Sequence, residues 1–374
     1  MRGIAAFLVL IEHWRNAFFL DFPQIQQHRA IWGPLYVISG AGHQAVIIFF
    51  VLSGYLISGT VLRAIRRSQW SWPRYLIHRL VRLWLVLIPA LILGFAWDTL
   101  GLHLNRAPML YAGAGGNHLT APVAPALTAA TFFGNLAFLQ TIVVPPLGSN
   151  GALWSLANEW WYYILFPLVA CVIARVFRKP LIILAYMAGL VAIAVLIGKA
   201  ILLLFPVWLL GTLLYLVPKP TGKIGGSTLG CAGILYAAAF FGFAVLAHRG
   251  GHLGVIHVSD VIADTFLGIV TFAFLWLLLS RSDKARHTRP VRLARETARF
   301  SYTLYVTHTP LLIFAASLLV RDSRWTPTVP HLLPALVVLA VAIAYAWLVA
   351  SRTEFKTDIV RGSVENQILP DAKS

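Results

Sequence analysis

Long apolar stretches, separated by short polar segments, run through most of the chain. A helix that crosses a bilayer needs about 20 mostly apolar residues. Stretches of this kind predict ten transmembrane helices, at residues 2–20, 34–62, 81–102, 154–177, 180–197, 200–217, 228–247, 259–280, 300–320 and 332–351. The first and fourth are less apolar than the others, because they contain charged residues such as Glu12 and Glu159. The pattern therefore predicts an all-α fold, a polytopic membrane helix bundle.

The segment 103–153 does not fit this pattern, because it is rich in Gly, Pro and Asn. Its centre, residues 127–140, is predicted to form a short helix that lies at the interface or partly enters the membrane. No long polar segment remains to form a soluble domain. We therefore expect one transmembrane domain over residues 1–351 and a cytoplasmic tail over residues 352–374.

The composition excludes several other classes of protein. Of the 374 residues, 59% are hydrophobic and 11% are charged, whereas about a quarter are charged in a typical soluble domain. A disordered chain has few apolar residues, and a nucleic-acid-binding domain has a less apolar surface. The two cysteines, Cys171 and Cys231, are too few for a disulfide-stabilised scaffold.

The formal net charge of +17 indicates how the helices are oriented. If the N-terminus lies in the cytoplasm, ten spans place 23 of the 30 Lys and Arg residues on the cytoplasmic side. Cytoplasmic loops of membrane proteins carry just such an excess of Lys and Arg. We therefore expect both termini to be cytoplasmic.

Charged and polar residues inside spans are costly and are therefore candidates for function. Arg2 and His13 in the first span lie eleven positions apart and share one helix face, about 16 Å apart along the axis. Arg2 would stand at the cytoplasmic mouth and His13 beyond the middle of the membrane. The structural alternative is a membrane-surface anchor at Arg2 and a hydrogen-bonded bundle residue at His13.

Two further patterns follow along the chain. Ser53 and Gly54 in the second span predict close helix packing, as small residues usually do in membranes, and His43 before them is expected to pack or to line a cavity. Arg79 and Arg82 are spaced to share a helix face. They either anchor the chain at the membrane surface or bind phosphates that arrive from the cytoplasm.

Aromatic and polar residues lie at the start of the fourth span. Trp154 and its aromatic neighbours are typical of an interfacial belt, and Ser155 is predicted to cap the helix. Glu159 follows within the span, beside aromatic rings on which a sugar can lie. Its carboxylate could accept a sugar hydroxyl or orient a histidine, and the alternative is a belt with an internally satisfied carboxylate.

The ninth span has a polar face. Ser301, Tyr305 and His308 recur at i, i+4 and i+7, and Pro310 removes a backbone hydrogen bond, as happens near cavities in membranes. A structural polar seam is the alternative. None of the histidines named so far has a histidine partner four residues away, and no cysteine pair stands beside them, so we expect no metal site.

Taken together, these segments resemble the acyltransferase family 3 of bacterial membrane proteins over nearly the whole chain. The motifs that carry the resemblance occur in the family's order: Arg2 with His13, residues 49–55, Arg79 with Arg82, residues 154–159, residues 301–310, and Arg352-Thr353-Glu354.

The resemblance implies an integral-membrane O-acyltransferase of the bacterial cytoplasmic (inner) membrane. Such an enzyme transfers an acyl group, most often acetyl, from cytoplasmic acyl-CoA to a hydroxyl of a carbohydrate or glycolipid of the envelope, or of an exported carbohydrate. The resemblance implies no permanently bound cofactor and no nucleic-acid partner. It is compatible with a periplasmic partner protein.

On this resemblance His13 would be the catalytic base, or would relay the acyl group itself, and Glu159 would orient His13 or bind hydroxyls of the acceptor. Arg2, Arg79 and Arg82 would bind acyl-CoA. The residues expected to line the substrate cavity are Ser53, Trp154, Ser155, Tyr305 and His308.

The competing interpretation is a transporter or exporter of a sugar or an acylated lipid. The absence of an internal sequence repeat and the ordered series of motifs speak against it. A purely structural assembly partner would leave Glu12, His13 and Glu159 without a purpose.

Overall fold

The computed structural model describes residues 1–114, 119–174, 176, 179–219, 226–249, 258–280 and 289–368. The fold is all-helical. The α-helices are α1 (Arg2–Phe18), α2 (Arg29–Ser39), α3 (Gly42–Arg66), α4 (Trp72–Leu104), α5 (Pro108–Tyr111), α6 (Ala129–Leu136), α7 (Trp154–Ile173), α8 (Pro180–Leu216), α9 (Gly226–Arg249), α10 (Val258–Leu279), α11 (Arg289–Arg299), α12 (Ser301–Leu319), α13 (Val329–Arg352) and α14 (Thr357–Ile368).

The predicted membrane helix bundle is confirmed, since each of the ten predicted spans is occupied by helix. Among the described residues, eight segments are long and apolar enough to cross a membrane. The difference in number has two causes. Helix α1 has only 17 residues and carries charges, and the two predicted spans at 180–197 and 200–217 fall within one apolar segment, α8, which is counted once.

The segment α8 turns back on itself at Gly198, whose φ of 68° and ψ of 179° interrupt the helix. Near the start of α8, the hydroxyl of Tyr186 accepts a hydrogen bond from the indole N–H of Trp72, the first residue of α4. Near its end, Tyr215 lies under the guanidinium of Arg63, in the last turn of α3. Both contacts mark the same end of the bundle, so the two halves form a hairpin, as two separate spans require.

Two further features of the fold are a break in the predicted second span and the short helix α6. The predicted second span, residues 34–62, is divided between α2 and α3, because the helix breaks at Gly40 and Ala41. The predicted short helix in 127–140 is confirmed as α6, which begins where the Thr128 hydroxyl accepts a hydrogen bond from the Thr131 N–H.

Close packing of α3 against α8 confirms the role expected of Gly54. A Cβ at Gly54 would overlap the carbonyl oxygen of Trp208, and a Cβ at Gly211 would overlap the carbonyl oxygen of Val51. The two backbones can therefore approach only because neither position carries a side chain.

Helix α12 lies at the centre of the bundle, with every residue from Ser301 to Ile313 buried. It packs against α1, α4 and α13. Because the helix is buried on all sides here, each polar group on its polar face requires a partner within the bundle.

The chain after α13 folds back onto α4. The carboxylate of Glu365 in α14 contacts Arg74 Nε at 2.8 Å and His78 Nε2 at 2.9 Å. Helix α4 has 33 residues and is therefore about 50 Å long, more than the ~30 Å hydrocarbon core of a bilayer. Its first turns can thus project from the membrane and bind the tail.

Seven of the basic residues that predict the orientation lie outside the described residues. They are Arg175, Arg178, Lys223, Arg281, Lys284, Arg286 and Lys373. The end of the predicted tail, residues 369–374, also lies outside them.

Candidate active site

A pocket lies between α1, α3, α4, α7 and α12 and joins residues from distant parts of the chain. Its lining includes six of the ten predicted site residues, Arg2, Ser53, Arg82, Ser155, Glu159 and Tyr305. Because five helices contribute, the pocket forms only when the bundle is assembled.

Two guanidinium groups line the pocket, those of Arg2 on α1 and Arg82 on α4. Arg2 Nη2 lies 4.0 Å from Oε1 of Glu354. The other oxygen of Glu354 accepts hydrogen bonds from the backbone N–H and the hydroxyl of Thr303, at 2.9 and 2.8 Å. These bonds fix the carboxylate, and Glu354 thereby positions Arg2.

Arg79 occupies a different place from Arg82, although both belong to α4. Its guanidinium lies over the rings of Tyr75 and Tyr163, at 5.5 and 5.9 Å from their centroids. Of the two arginines, Arg82 lines the pocket, while Arg79 stands behind Tyr163.

The carboxylate of Glu159 is held by hydroxyl groups. Its Oε1 accepts a hydrogen bond from Ser53 Oγ at 3.1 Å and another from the hydroxyl of Tyr163. Two of the predicted residues, Glu159 and Ser53, are therefore direct partners across α7 and α3. Tyr163 is not among the predicted site residues, although its spacing of four residues from Glu159 predicts contact along a helix.

Ser155 does not cap α7, which corrects the sequence-based prediction. The helix begins at Trp154 after Leu153, and no side chain caps it. The Ser155 hydroxyl instead lies 2.7 Å from the hydroxyl of Tyr305, which donates to the carbonyl oxygen of Ala152 at 3.0 Å. Ser155 is therefore the donor to Tyr305, and the pair joins α7 to α12.

His13 and His308 form a direct pair. Nδ1 of His13 lies 2.8 Å from Nε2 of His308 and 3.2 Å from the hydroxyl of Thr309. Nδ1 of His308 lies 2.7 Å from the carbonyl oxygen of Leu304. A carbonyl oxygen only accepts, so Nδ1 of His308 carries the proton, and Nε2 of a neutral His308 must accept. His13 therefore donates from Nδ1, which leaves a lone pair on its own Nε2.

Aromatic rings connect the pocket to this pair. The ring of Phe49, which lines the pocket, lies 5.9 Å from the ring of Tyr305. The ring of Tyr305 lies 6.3 Å from that of His308. Packed aromatic rings thus link the pocket to the histidine pair, which does not itself line the pocket.

Pro310 has the effect on α12 that its position predicts. Proline has no N–H, so the carbonyl oxygen of Val306, four residues earlier, loses its helical partner. The side-chain amide of Asn150 donates to that oxygen at 2.8 Å. No sequence pattern indicates this contact, since the two residues lie 156 positions apart.

Trp154 lies beside the pocket and stacks on the imidazole of His43, with 6.2 Å between ring centroids and 15° between planes. His43 in turn contacts Asp264 on α10. The sequence suggests only a packing or cavity role for His43, and it does not single out Asp264.

Nearly the whole chain matches one known protein family. The family model of acyltransferase family 3, described as an acyltransferase domain, matches residues 1–350. The match confirms the resemblance that the motifs indicate. No curated protein and no solved structure matches the chain.

Proposed function

Because the chain belongs to acyltransferase family 3, we propose that it transfers an acyl group, in particular acetyl, from acyl-CoA to a hydroxyl of a cell-envelope or exported carbohydrate. That it is a multi-pass membrane acyltransferase rests on the family match and the apolar helices. We propose in addition the donor, the acceptor and the roles of the individual residues. One observation carries them: α1 presents Arg2 to the pocket and His13 to His308.

Arg2 and Arg82 bind the phosphates of CoA in this proposal. A guanidinium group offers several N–H donors in a plane and is suited to bidentate binding of phosphate. Glu354 holds Arg2 from behind the pocket, and Arg79 supports Tyr163, whose hydroxyl fixes Glu159.

The acyl-pantetheine arm then extends along α1 towards His13. Arg2 and His13 lie eleven positions apart on the helix, which corresponds to about 16 Å. The rings of Phe49 and Tyr305 lie along the same route and offer it an apolar wall. The thioester would thus reach Nε2 of His13 while the CoA phosphates stay at the arginines.

His13 acts as general base in the transfer. Its Nε2 takes the proton of the acceptor hydroxyl, and the hydroxyl oxygen attacks the thioester carbon. The C–S bond breaks, and the CoA thiolate leaves with the proton from His13. His308 maintains the tautomer that this step needs. The same Nε2 lone pair would serve if the acyl group first passed to His13.

The orientation of the bundle follows the charge distribution. With both termini in the cytoplasm, 23 of the 30 Lys and Arg residues lie on the cytoplasmic side, in agreement with the positive-inside rule. Arg2 then faces cytoplasmic acyl-CoA, and the opposite end of α1 faces the acceptor outside a bacterial cytoplasmic membrane.

A complementation experiment tests this function. In a strain that lacks the gene, the wild-type protein is expected to restore acetyl esters on envelope carbohydrates, as measured by mass spectrometry. His13→Ala is expected to restore none, because general acid–base catalysis contributes about 10²- to 10⁴-fold to the rate.

His103→Ala is the matched control, because His103 is an exposed residue in the last turn of α4. It should restore the esters fully. Full restoration by a membrane-inserted His13→Ala protein would contradict the proposal.

A further inference from the structure

A second polar constellation lies at the end of the bundle opposite to Arg2. His43 is the second residue of α3, and Asp264 lies in the second turn of α10. Nε2 of His43 lies 2.9 and 3.0 Å from the two carboxylate oxygens of Asp264. A carboxylate accepts, so Nε2 carries the proton, and Nδ1 is the ring nitrogen that remains for a ligand.

The two partners differ in exposure. The side chain of Asp264 is 10% exposed, whereas that of His43 is 46% exposed. A buried carboxylate within an apolar helix is costly, and helix packing alone does not require it. The arrangement fixes an imidazole and presents it at a surface, which is what recognition of a polar ligand needs.

An aromatic ring completes the constellation. Trp154 stacks on the His43 imidazole, and the next residue, Ser155, lines the pocket and donates to Tyr305. Imidazole, indole and carboxylate therefore lie directly beside the wall of the candidate active site.

The constellation also lies close to His13. Gly42, which precedes His43, packs so closely on α1 that a Cβ there would overlap the carboxylate of Glu12. His13 is the next residue of α1. The two histidines thus follow two residues that are in direct contact.

We infer that His43, Asp264 and Trp154 form the binding subsite for a hydroxyl-rich acceptor, a carbohydrate, next to the reacting hydroxyl. The imidazole Nδ1 and the carboxylate form hydrogen bonds with sugar hydroxyls, and the indole offers an apolar face to the sugar ring. This inference rests on the proposed function, because it assigns the acceptor to one side of His13 and the donor to the other.

Steady-state kinetics with the purified full-length protein test the subsite. The probe is envelope polysaccharide from a strain that lacks the gene, stripped of esters by mild alkali, with radiolabelled acetyl-CoA as donor. His43→Ala and Asp264→Asn should each raise the apparent KM for polysaccharide about five- to tenfold, as the loss of one or two hydrogen bonds implies. The KM for acetyl-CoA should stay unchanged.

Two further variants keep the result interpretable. His331→Ala removes another imidazole that stacks on a tryptophan, Trp325, at 4.9 Å and 13°, and should leave both KM values unchanged. If His43→Ala does not fold, His43→Gln retains a donor for Asp264 but lacks the ring, and should still raise the KM for polysaccharide.

The outcomes separate the two proposals. Folded His43 and Asp264 variants with the wild-type KM for polysaccharide would overturn the subsite alone. If the wild-type protein transfers no label to the polysaccharide, the proposed function fails, and the subsite fails with it.

Discussion

At the scale of single residues, one histidine determines the tautomer of another. His308 is fully buried and has its Nδ1 at the carbonyl oxygen of Leu304. Its Nε2 must therefore accept from His13. His308 is a positioning residue in this scheme, since it acts on the reaction through His13.

Replacing His308 tests that role. His308→Leu removes the acceptor and leaves the Nδ1 proton of His13 without this partner, so kcat should fall about tenfold or more, with the KM for acetyl-CoA unchanged. His308→Gln keeps a carbonyl acceptor and should recover much of kcat. Steady-state kinetics with both variants give the comparison.

A merely structural His308 would produce a different result. In that case Leu and Gln would lower the amount of folded protein, and the kcat of the folded fraction would be the same as wild type. Equal kcat for wild type and a folded His308→Leu protein would contradict the positioning role.

At the scale of helices, the contact between α3 and α8 holds one wall of the pocket. Ser53 on α3 binds Glu159, and the neighbouring Gly54 lets Trp208 of α8 approach. The small residue thus serves packing, while the adjacent hydroxyl faces the site.

Gly54→Leu should destabilise the protein, because its side chain would overlap the Trp208 backbone and overpacking costs about 1–3 kcal/mol or more. The temperature of half-unfolding in detergent should fall. Gly189→Leu is the matched control on the same hairpin, since a Cβ at Gly189 has no neighbour within 4 Å. An equal effect of both substitutions would contradict the packing argument.

The helices themselves could be predicted from the sequence, because an apolar run of sufficient length has few alternatives in a membrane. The break at Gly40 and Ala41 and the start of α4 at Trp72, nine residues before the predicted span, could not. Helix ends outside the apolar core depend on contacts such as Arg74 with Glu365, which no hydrophobic pattern reveals.

At the scale of the whole molecule, the candidate site is only partly readable from the sequence. Residues that share a helix face, such as Arg2 with His13 or Tyr305 with His308, follow from helical spacing. Contacts between helices do not, and the pairing of His43 with Asp264 spans 221 positions. Candidate residues such as His13 and Glu159 therefore stand out in the sequence, whereas the contacts that the structure gives them across helices do not.

The two pocket arginines, His13 and His43 follow one another from one end of the bundle to the other. Arg2 lies at the start of α1 and lines the pocket with Arg82. His13 lies farther along α1, beside His308. His43 lies at the start of α3, near the end of the bundle opposite to Arg2. A donor bound at the arginines and an acceptor bound at His43 would meet at His13 from opposite sides.

The most direct test of acyl transfer through His13 is the transfer of label from radiolabelled acetyl-CoA to ester-stripped envelope polysaccharide by the purified, reconstituted protein. The wild-type protein should attach label to the polysaccharide, and folded His13→Ala should do so at least about a hundredfold more slowly. Equal labelling by the two proteins, or no labelling by the wild type, would contradict the account.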